Sequence, residues 1–360
     1  MTTADHLRRA GAAFARWPQA GLVVVILAAG AGLTALAGSH ADPLSGATVN
    51  NFLNAHTLVQ MATDASGFAI MAVGATIVIV AGGIDLSAGA VYALAGVVMA
   101  MVLRAAGPLD PAVTVLLGLG TCIVVSLACG VANGVMVVGL SVHPFIITLG
   151  TMWMLRGIAF VASSAESILV PSALTRVAKA SLGLGATLSP VPLVAMLGVA
   201  ALGSVYLTRT VMGRHIFAVG GNAEASRFAG LHVRRIRLGV FVLSSLTAGT
   251  AAFLGASFYG SATSSDANGY ELYVIASAVV GGASLTGGTG SAVSAMLGAV
   301  LIVLIRQAIR TLHLDQNYEW IIIGGAMIVA VVLDQGGTRL VARRVAAAAR
   351  GRPASPSQPE

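Results

Sequence analysis

Ten apolar runs, each bounded by polar residues, Gly or Pro, limit what this chain can become. They cover residues 20–38, 58–81, 88–105, 111–139, 144–163, 191–208, 237–258, 271–282, 291–309 and 318–334. About 20 apolar residues in a helix cross the ~30 Å hydrocarbon core of a bilayer. Backbone inside lipid must satisfy its own hydrogen bonds, which makes such runs helical. Only 9% of the 360 residues are charged, against about 25% in soluble domains. Too few charges remain to solvate a globular surface. The chain therefore reads as an all-α polytopic membrane protein with about ten transmembrane helices. The eighth run is short, which predicts a half-helix or re-entrant segment whose backbone is covered by protein or by a watery cavity. The run 111–139 is long enough to tilt or kink.

Charge sets the orientation. Of the 20 basic residues, 13 fall in segments 1–19, 209–236 and 335–360, and Arg237 stands at the edge of the second. The bias of Arg and Lys toward the cytoplasmic side places these segments, and both termini, inside. This divides the chain into a cytoplasmic N-terminal segment (1–19), a transmembrane domain (20–334) with a cytoplasmic loop at 209–236, and a cytoplasmic tail (335–360). The tail ends rich in Pro and Ser and is expected to be disordered. Arg8, Arg9 and Arg16 before the first run also fit a signal peptide; its length and the spans that follow favour an uncleaved helix. The net charge of +7 is topological, and nucleic acid is not an expected partner. Cys122 and Cys129 share one apolar run and read as small apolar residues, with no disulfide framework or metal site.

A glycine-rich motif occurs twice. Gly82-Gly83-Ile84-Asp85-Leu86-Ser87-Ala88-Gly89 follows the second run, and Gly281-Gly282-Ala283-Ser284-Leu285-Thr286-Gly287-Gly288 follows the eighth. Both fit G-G-x-[DS]-L-[ST]-x-G, which points to two related halves. Gly readily takes a positive φ and ends a helix. Asp85 or Ser87 can cap the helix that follows, and Ser284 or Thr286 can do so in the second copy. A tight turn between spans is the plainer reading of either copy alone. Both copies fall on the inner side by the span count, so the repeat is parallel rather than inverted, and we read them as helix breaks that shape a pore. A carboxylate at mid-membrane costs about 2.5–3.5 kcal/mol on insertion scales, so Asp85 must be capping, paired or wet.

The inner segment 209–236 carries a second signature. Asn222 is a good N-cap, Glu224 lies in the first turn, and Gly230 is a good stop, predicting a short helix over 223–229. Phe228 is an apolar knob on an Arg-rich element. An amphipathic loop on anionic lipid and a docking helix for a cytosolic partner fit equally. Elsewhere, Asn133 lies in a small-residue run and is suited to bonding across helices. Arg156 is costly in lipid and must face protein or water; with Trp153, three residues away, it forms a candidate pore-lining or helix-contact pair. Asp64 either lines the pore or is solvated near a helix end. Sequences for zinc-dependent or serine hydrolysis (H-E-x-x-H, G-x-S-x-G) and the Walker A loop do not occur.

Four stretches resemble the permease subunits of ribose-type ABC sugar importers: VAGGIDLSAG (80–89), GVANGVMVVGLSVHPFIITLG (130–150), MGRHIFAVGGNAEASRFAGL (212–231) and IASAVVGGASLTGGTG (275–290). The resemblance implies a non-enzymatic subunit of the cell inner membrane that imports a monosaccharide or similar polyhydroxylated solute. It implies no bound cofactor, with ATP and Mg²⁺ held by a separate cytosolic ATPase, and further partners in a second permease subunit and a periplasmic sugar-binding protein, all within membrane lipid. It marks Asn222, Glu224, Arg227, Phe228 and Gly230 as coupling residues. Ser277, Tyr273, Ser294 and Asp64 depart from the family pattern. The alternative, an ion-coupled secondary transporter, needs buried carboxylates, for which Asp64 and Asp85 are the candidates.

Overall fold

The computed structural model describes residues 19–41, 46, 48–180, 189–326, 328–329 and 332. Most of the N-terminal segment and the whole tail lie outside these residues. The helices are α1 (Ala20–Leu36), α2 (Ala55–Val80), α3 (Ala88–Ala106), α4 (Pro111–Leu140), α5 (Pro144–Ser163), α6 (Ser172–Ala178), α7 (Val191–Arg209), α8 (Val211–Gly221), α9 (Ala223–Phe228), α10 (Val233–Tyr259), α11 (Tyr270–Val280) and α12 (Ala292–Thr311). Seven of them, α2, α3, α4, α5, α7, α10 and α12, are long and apolar enough to cross a membrane. The other three expected spans correspond to α1, with 17 residues, α11, with 11, and a helical stretch that starts at 318. At about 1.5 Å per residue α11 is roughly 16 Å long, half a bilayer core, as its short apolar run implies.

Local chemistry sets the helix ends. Asn54 accepts from the N–H of Thr57 at 2.8 Å to start α2, and Asp110 accepts from Ala112 at 2.9 Å to start α4. Pro stands in the first turn of α4, α5 and α7, where its missing N–H costs nothing. Thr210 both closes α7 and caps α8 through the Gly213 N–H. The segment expected as a loop at 209–236 is thus mostly helix. The run of polar and Arg residues hides the helix α8, whose polar face is solvated while Ile216 and Val219 are buried.

The core helix is α2, buried along nearly all its length. It packs against α7, α10, α11 and α12, while α3 joins α4, α5 and α10 on the other flank. Lipid gives little hydrophobic drive for helices to associate, so close approach of small residues takes its place. Gly130 and Gly134, four apart on α4, face the backbone of Val242 and Leu238 on α10; a Cβ on either would lie 2.7 or 3.0 Å from those Cα atoms. Gly298 of α12 likewise sits against the Ser277 carbonyl of α11.

The loops expected on one side do gather at one end of the bundle. Gly82, the end of α4 with His143, and Arg227, Arg234 and Arg237 line one pocket there, and Gly220 touches both Val80 and Gly288. The opposite end carries two short antiparallel pairs, β1 (Ser39–Ala41) with β2 (Thr48–Asn50) and β3 (Ile168–Leu169) with β4 (Ser261–Ala262). β3 and α6 lie in the long segment 164–190, and β4 follows α10.

Gly220 tests this packing. Its substitution by Ala drives a Cβ into the Val80 carbonyl, whereas Ala at Gly239 meets open space. Thermal unfolding in detergent is expected to show Gly220→Ala destabilised by about 1–3 kcal/mol and Gly239→Ala within ±0.5 kcal/mol.

Candidate functional site

The two glycine motifs meet. Val80, the last residue of α2, accepts a hydrogen bond from the Gly288 N–H at 2.9 Å. Gly82 (φ +78°) and Gly287 (φ +88°) both turn through the left-handed region, and a Cβ on Gly287 would fall 2.8 Å from the Gly220 carbonyl oxygen and 3.0 Å from the Gly82 Cα. Three glycine pairs, 82–83, 220–221 and 287–288, thus interlock by backbone alone. The two copies also pack reciprocally. Leu86 of the first sits with Ile275 and Val279 of α11, the helix before the second copy. Ala283 of the second sits with Ile79 of α2, the helix before the first.

Asp85 is buried, at 2% exposure, and is bound by three donors. Its Oδ1 accepts from the Ser87 N–H at 2.9 Å and the Ser87 hydroxyl at 2.6 Å; its Oδ2 accepts from Ser244 of α10 at 2.8 Å. Asn133 of α4 donates to the Ser87 hydroxyl at 2.8 Å, and Thr148 of α5 donates to the Ile84 carbonyl at 3.1 Å. One loop therefore holds α2, α3, α4, α5 and α10 together. Of the two proposed caps, Ser87 occupies the N-cap position without a side-chain capping bond; Asp85 satisfies the Ser87 N–H instead. In the second copy neither Ser284 nor Thr286 caps the next helix. Their hydroxyls bond each other at 2.9 Å, and α12 begins later, capped by Ser291. The longer loop 281–291 is the reason: the glycines at 287, 288 and 290 carry the chain into contact with Val80 and back before helix can resume.

Gly89 lies farther along α3, where a Cβ would fall 2.6 Å from Glu271 Oε2 and 3.5 Å from Arg156 Nη2. Arg156 is buried and donates to the carbonyls of Ser264 (2.9 Å), Asp266 and Ala267 (3.1 Å). It faces protein, as its cost in lipid demands. Trp153 does not share that environment: it is 69% exposed, so the expected Trp153–Arg156 pair is not brought to one surface. Asp64 lies toward the start of α2 and is paired with Arg310 of α12 at 3.3 Å, with Gln60 and Tyr259 also donating to it. Tyr273, which departs from the expected family pattern, donates to Glu319 at 2.7 Å, and Glu319 pairs with Arg306 at 2.9 Å.

The helix α9 forms as the sequence predicts, ending one residue earlier. Asn222 accepts from the Ala225 N–H at 2.9 Å. Gly230 (φ +85°) closes it, with its N–H bonded to the Arg227 carbonyl and the Leu231 N–H to the Ser226 carbonyl, each at 3.0 Å; this reverse pairing satisfies the last carbonyls of the helix. Only Ser226 is buried, and Phe228 is 85% exposed. The helix stands at the end of the bundle that carries the interlocked glycines.

The sequence reading missed Ser244, Thr148 and the Gly220-Gly221 pair. Ser244 and Ser245 do stand out as hydroxyls in an apolar run, and Gly220-Gly221 repeats the dipeptide of the motifs. Among the described residues no group of three His, Cys, Asp or Glu could hold a metal.

The family model described as "Branched-chain amino acid transport system / permease component" matches residues 57–332. The chain belongs to this family. As a permease, it is a multi-pass membrane transport subunit and not an enzyme. Its relatives include a D-allose transport system permease of Escherichia coli, 35% identical over 79% of this chain and 85% of its own length. A ribose import permease of Haemophilus influenzae is 35% identical over 79% of this chain and 86% of its own. An L-arabinose ABC transporter permease of Azospirillum brasilense is 33% identical over 62% and 65%. No solved structure matches the chain.

Removing the Asp85 carboxylate leaves the Ser87 N–H and two buried hydroxyls without their acceptor, at roughly 1–3 kcal/mol for each orphaned group. Asp85→Ala is expected to lower the unfolding midpoint of the purified permease sharply. Asp85→Asn keeps one acceptor oxygen and is expected to lie between Ala and wild type in the same assay.

Proposed function

We propose that this permease imports a monosaccharide, or a similar small polyhydroxylated solute, in a complex driven by ATP hydrolysed on a separate chain. The relatives named for allose, ribose and arabinose support that substrate class. In this reading the partners are a second permease subunit, a cytosolic ABC ATPase that holds ATP and Mg²⁺, and a periplasmic sugar-binding protein, and the complex resides in the inner membrane. The glycine end is cytoplasmic, in keeping with the Arg bias, and both termini lie on that side. Residues 20–334 form the transmembrane domain.

The observation that carries the ATP-driven reading is α9: a six-residue helix, capped by Asn222, closed by Gly230 and presenting Phe228 to solvent. It has the form of a knob for a groove on a cytosolic partner, with Glu224 and Arg227 beside it for orientation. Ion coupling has less support, since both candidate carboxylates are engaged, Asp64 by Arg310 and Asp85 by three hydrogen-bond donors. Because α2 is packed on all sides, we place the solute pathway between two permease subunits, with exposed Trp153 on its lining and Arg156 and Asn133 bracing the wall behind. The motif residues Gly82, Gly83, Asp85, Ser87, Gly89, Gly281, Gly282, Ser284, Thr286 and Gly288 form the element that carries motion from α9 to that wall.

Reconstituted with its ATPase and binding protein, the complex carrying Phe228→Ala or Glu224→Arg is expected to lose solute-stimulated ATPase activity and uptake by on the order of tenfold or more, the scale of one interface hot spot. Normal stimulation and uptake in both variants would remove the coupling role.

A further inference from the structure

At the glycine end, a pocket of about 520 Å³ opens between the C-terminal end of α4 and the start of α10. Gly82 and Val137 belong to its lining, as do Arg227, Arg234, Arg237 and His143; no carboxylate lines it. A second hollow of about 460 Å³ shares Arg227 and Arg234 and adds Arg235 and His232. Among the described residues, none of the guanidiniums of Arg227, Arg234, Arg235 and Arg237 has an ion-pair or hydrogen-bond partner. The first turn of α10, a 27-residue helix, also lacks a side-chain cap at His232; the Val233 N–H bonds the Leu231 carbonyl at 2.9 Å, and the N–H groups that follow it, with the positive dipole end, are available to an anion. The one unfavourable neighbour is the end of α4, whose last carbonyls lie beside the same pocket.

We infer that this pocket binds a phosphate-bearing anion. Arginine near a membrane surface serves topology wherever it stands, but topology does not require three of them around one concavity with an uncapped helix start. The volume is that of a small-ligand site, commonly about 300–1,000 Å³, and larger than one acidic side chain of a protein partner would fill. Planar guanidiniums suit phosphate oxygens through paired hydrogen bonds. The anion is either free in solution or the headgroup of an anionic lipid. Since Arg227 belongs to α9 and Arg234 and Arg237 to α10, an occupant would tie the short exposed helix to the bundle beside Gly82.

The test uses the full-length permease. In phosphatidylcholine nanodiscs, inorganic phosphate is titrated at constant ionic strength against chloride while the unfolding midpoint is followed. In parallel, protein from vesicles of phosphatidylcholine and phosphatidylglycerol is examined by native mass spectrometry for retained phosphatidylglycerol. Three variants are compared with wild type: Arg234→Gln/Arg237→Gln, Val138→Trp, which fills the pocket without changing charge, and Arg209→Gln/Arg214→Gln, which removes the same charge at the same end but outside the pocket. A phosphate-dependent rise in midpoint, weakened by on the order of tenfold for each guanidinium lost and abolished by Val138→Trp, identifies a soluble anion. Phosphatidylglycerol retained by wild type and by the Arg209/Arg214 variant, but lost from the pocket variants, identifies a lipid headgroup. If the Arg234/Arg237 variant does not fold, Val138→Trp decides alone. The proposal is overturned if neither phosphate nor phosphatidylglycerol separates the pocket variants from the charge control.

Discussion

A buried carboxylate without a cation holds this bundle together. Asp85 lies where two helices have been interrupted, and it survives there because three donors surround it. Burying a charge is tolerable only when hydrogen bonds replace its water. Ser244 comes from α10, Ser87 from the start of α3, and Asn133 of α4 anchors Ser87 in turn. The positions of three helices, α3, α4 and α10, thus follow from the solvation of one side chain. Elsewhere in the bundle the closest helix approaches are made at glycines such as Gly130, Gly134 and Gly298, which carry little directional preference. The polar network supplies the direction, fixing which faces meet.

The second constraint is steric. At the same end, the chain passes three times through a space that admits backbone and no side chain. Val80, Gly220 and Gly288 are in mutual contact. Glycine is required there for close approach as much as for its positive φ. The consequence is mechanical: α2, the core of the bundle, is bonded to the loop before α12 and pressed against the end of α8. One residue, Asn222, separates α8 from α9. A displacement of α9 has a short, covalently stiff route to the core of the molecule, with no need for a chain of side-chain contacts.

The helical framework, though not these contacts, was legible in the sequence because lipid simplifies the rules. Apolar length gave the ends of the seven described spans to within a few residues, since helix is the only local solution for backbone in hydrocarbon. Asn222 and Gly230 announced α9 because capping is a local interaction. Of the Arg-rich segments only 209–236 lies within the described residues, at the end where Gly82 and Gly288 also stand. What stayed hidden was long-range. That Asp85 needed a partner could be argued from its cost, but Ser244 is 159 positions away, and one chain holds no signal that pairs them. Arg310 for Asp64 and Glu319 for Tyr273 were hidden for the same reason. The capping assignment for Ser284 and Thr286 failed because similar motifs were treated as similar structures. The second loop is longer before its helix resumes, and the added glycines are used for contact instead. Trp153 and Arg156 were paired by helical spacing, yet the guanidinium turns inward to carbonyls while the indole stays exposed, so they part.

The central claim is that the interlocked glycines make α8, α9 and the loop before α12 one mechanical unit. Its most direct test is the distance between spin labels at Ala225→Cys on α9 and Leu285→Cys in the second motif, with Cys122 and Cys129 replaced by Ala. The measurement is made on the assembled importer, first without nucleotide and then trapped in its ATP-bound state. A single distance that holds to within the ~1–2 Å of ordinary helix shifts is the predicted result, while uptake by the cysteine-replaced parent confirms a working complex. A change of several ångströms between the two states would contradict it, since α9 would then move without carrying the glycine segment along.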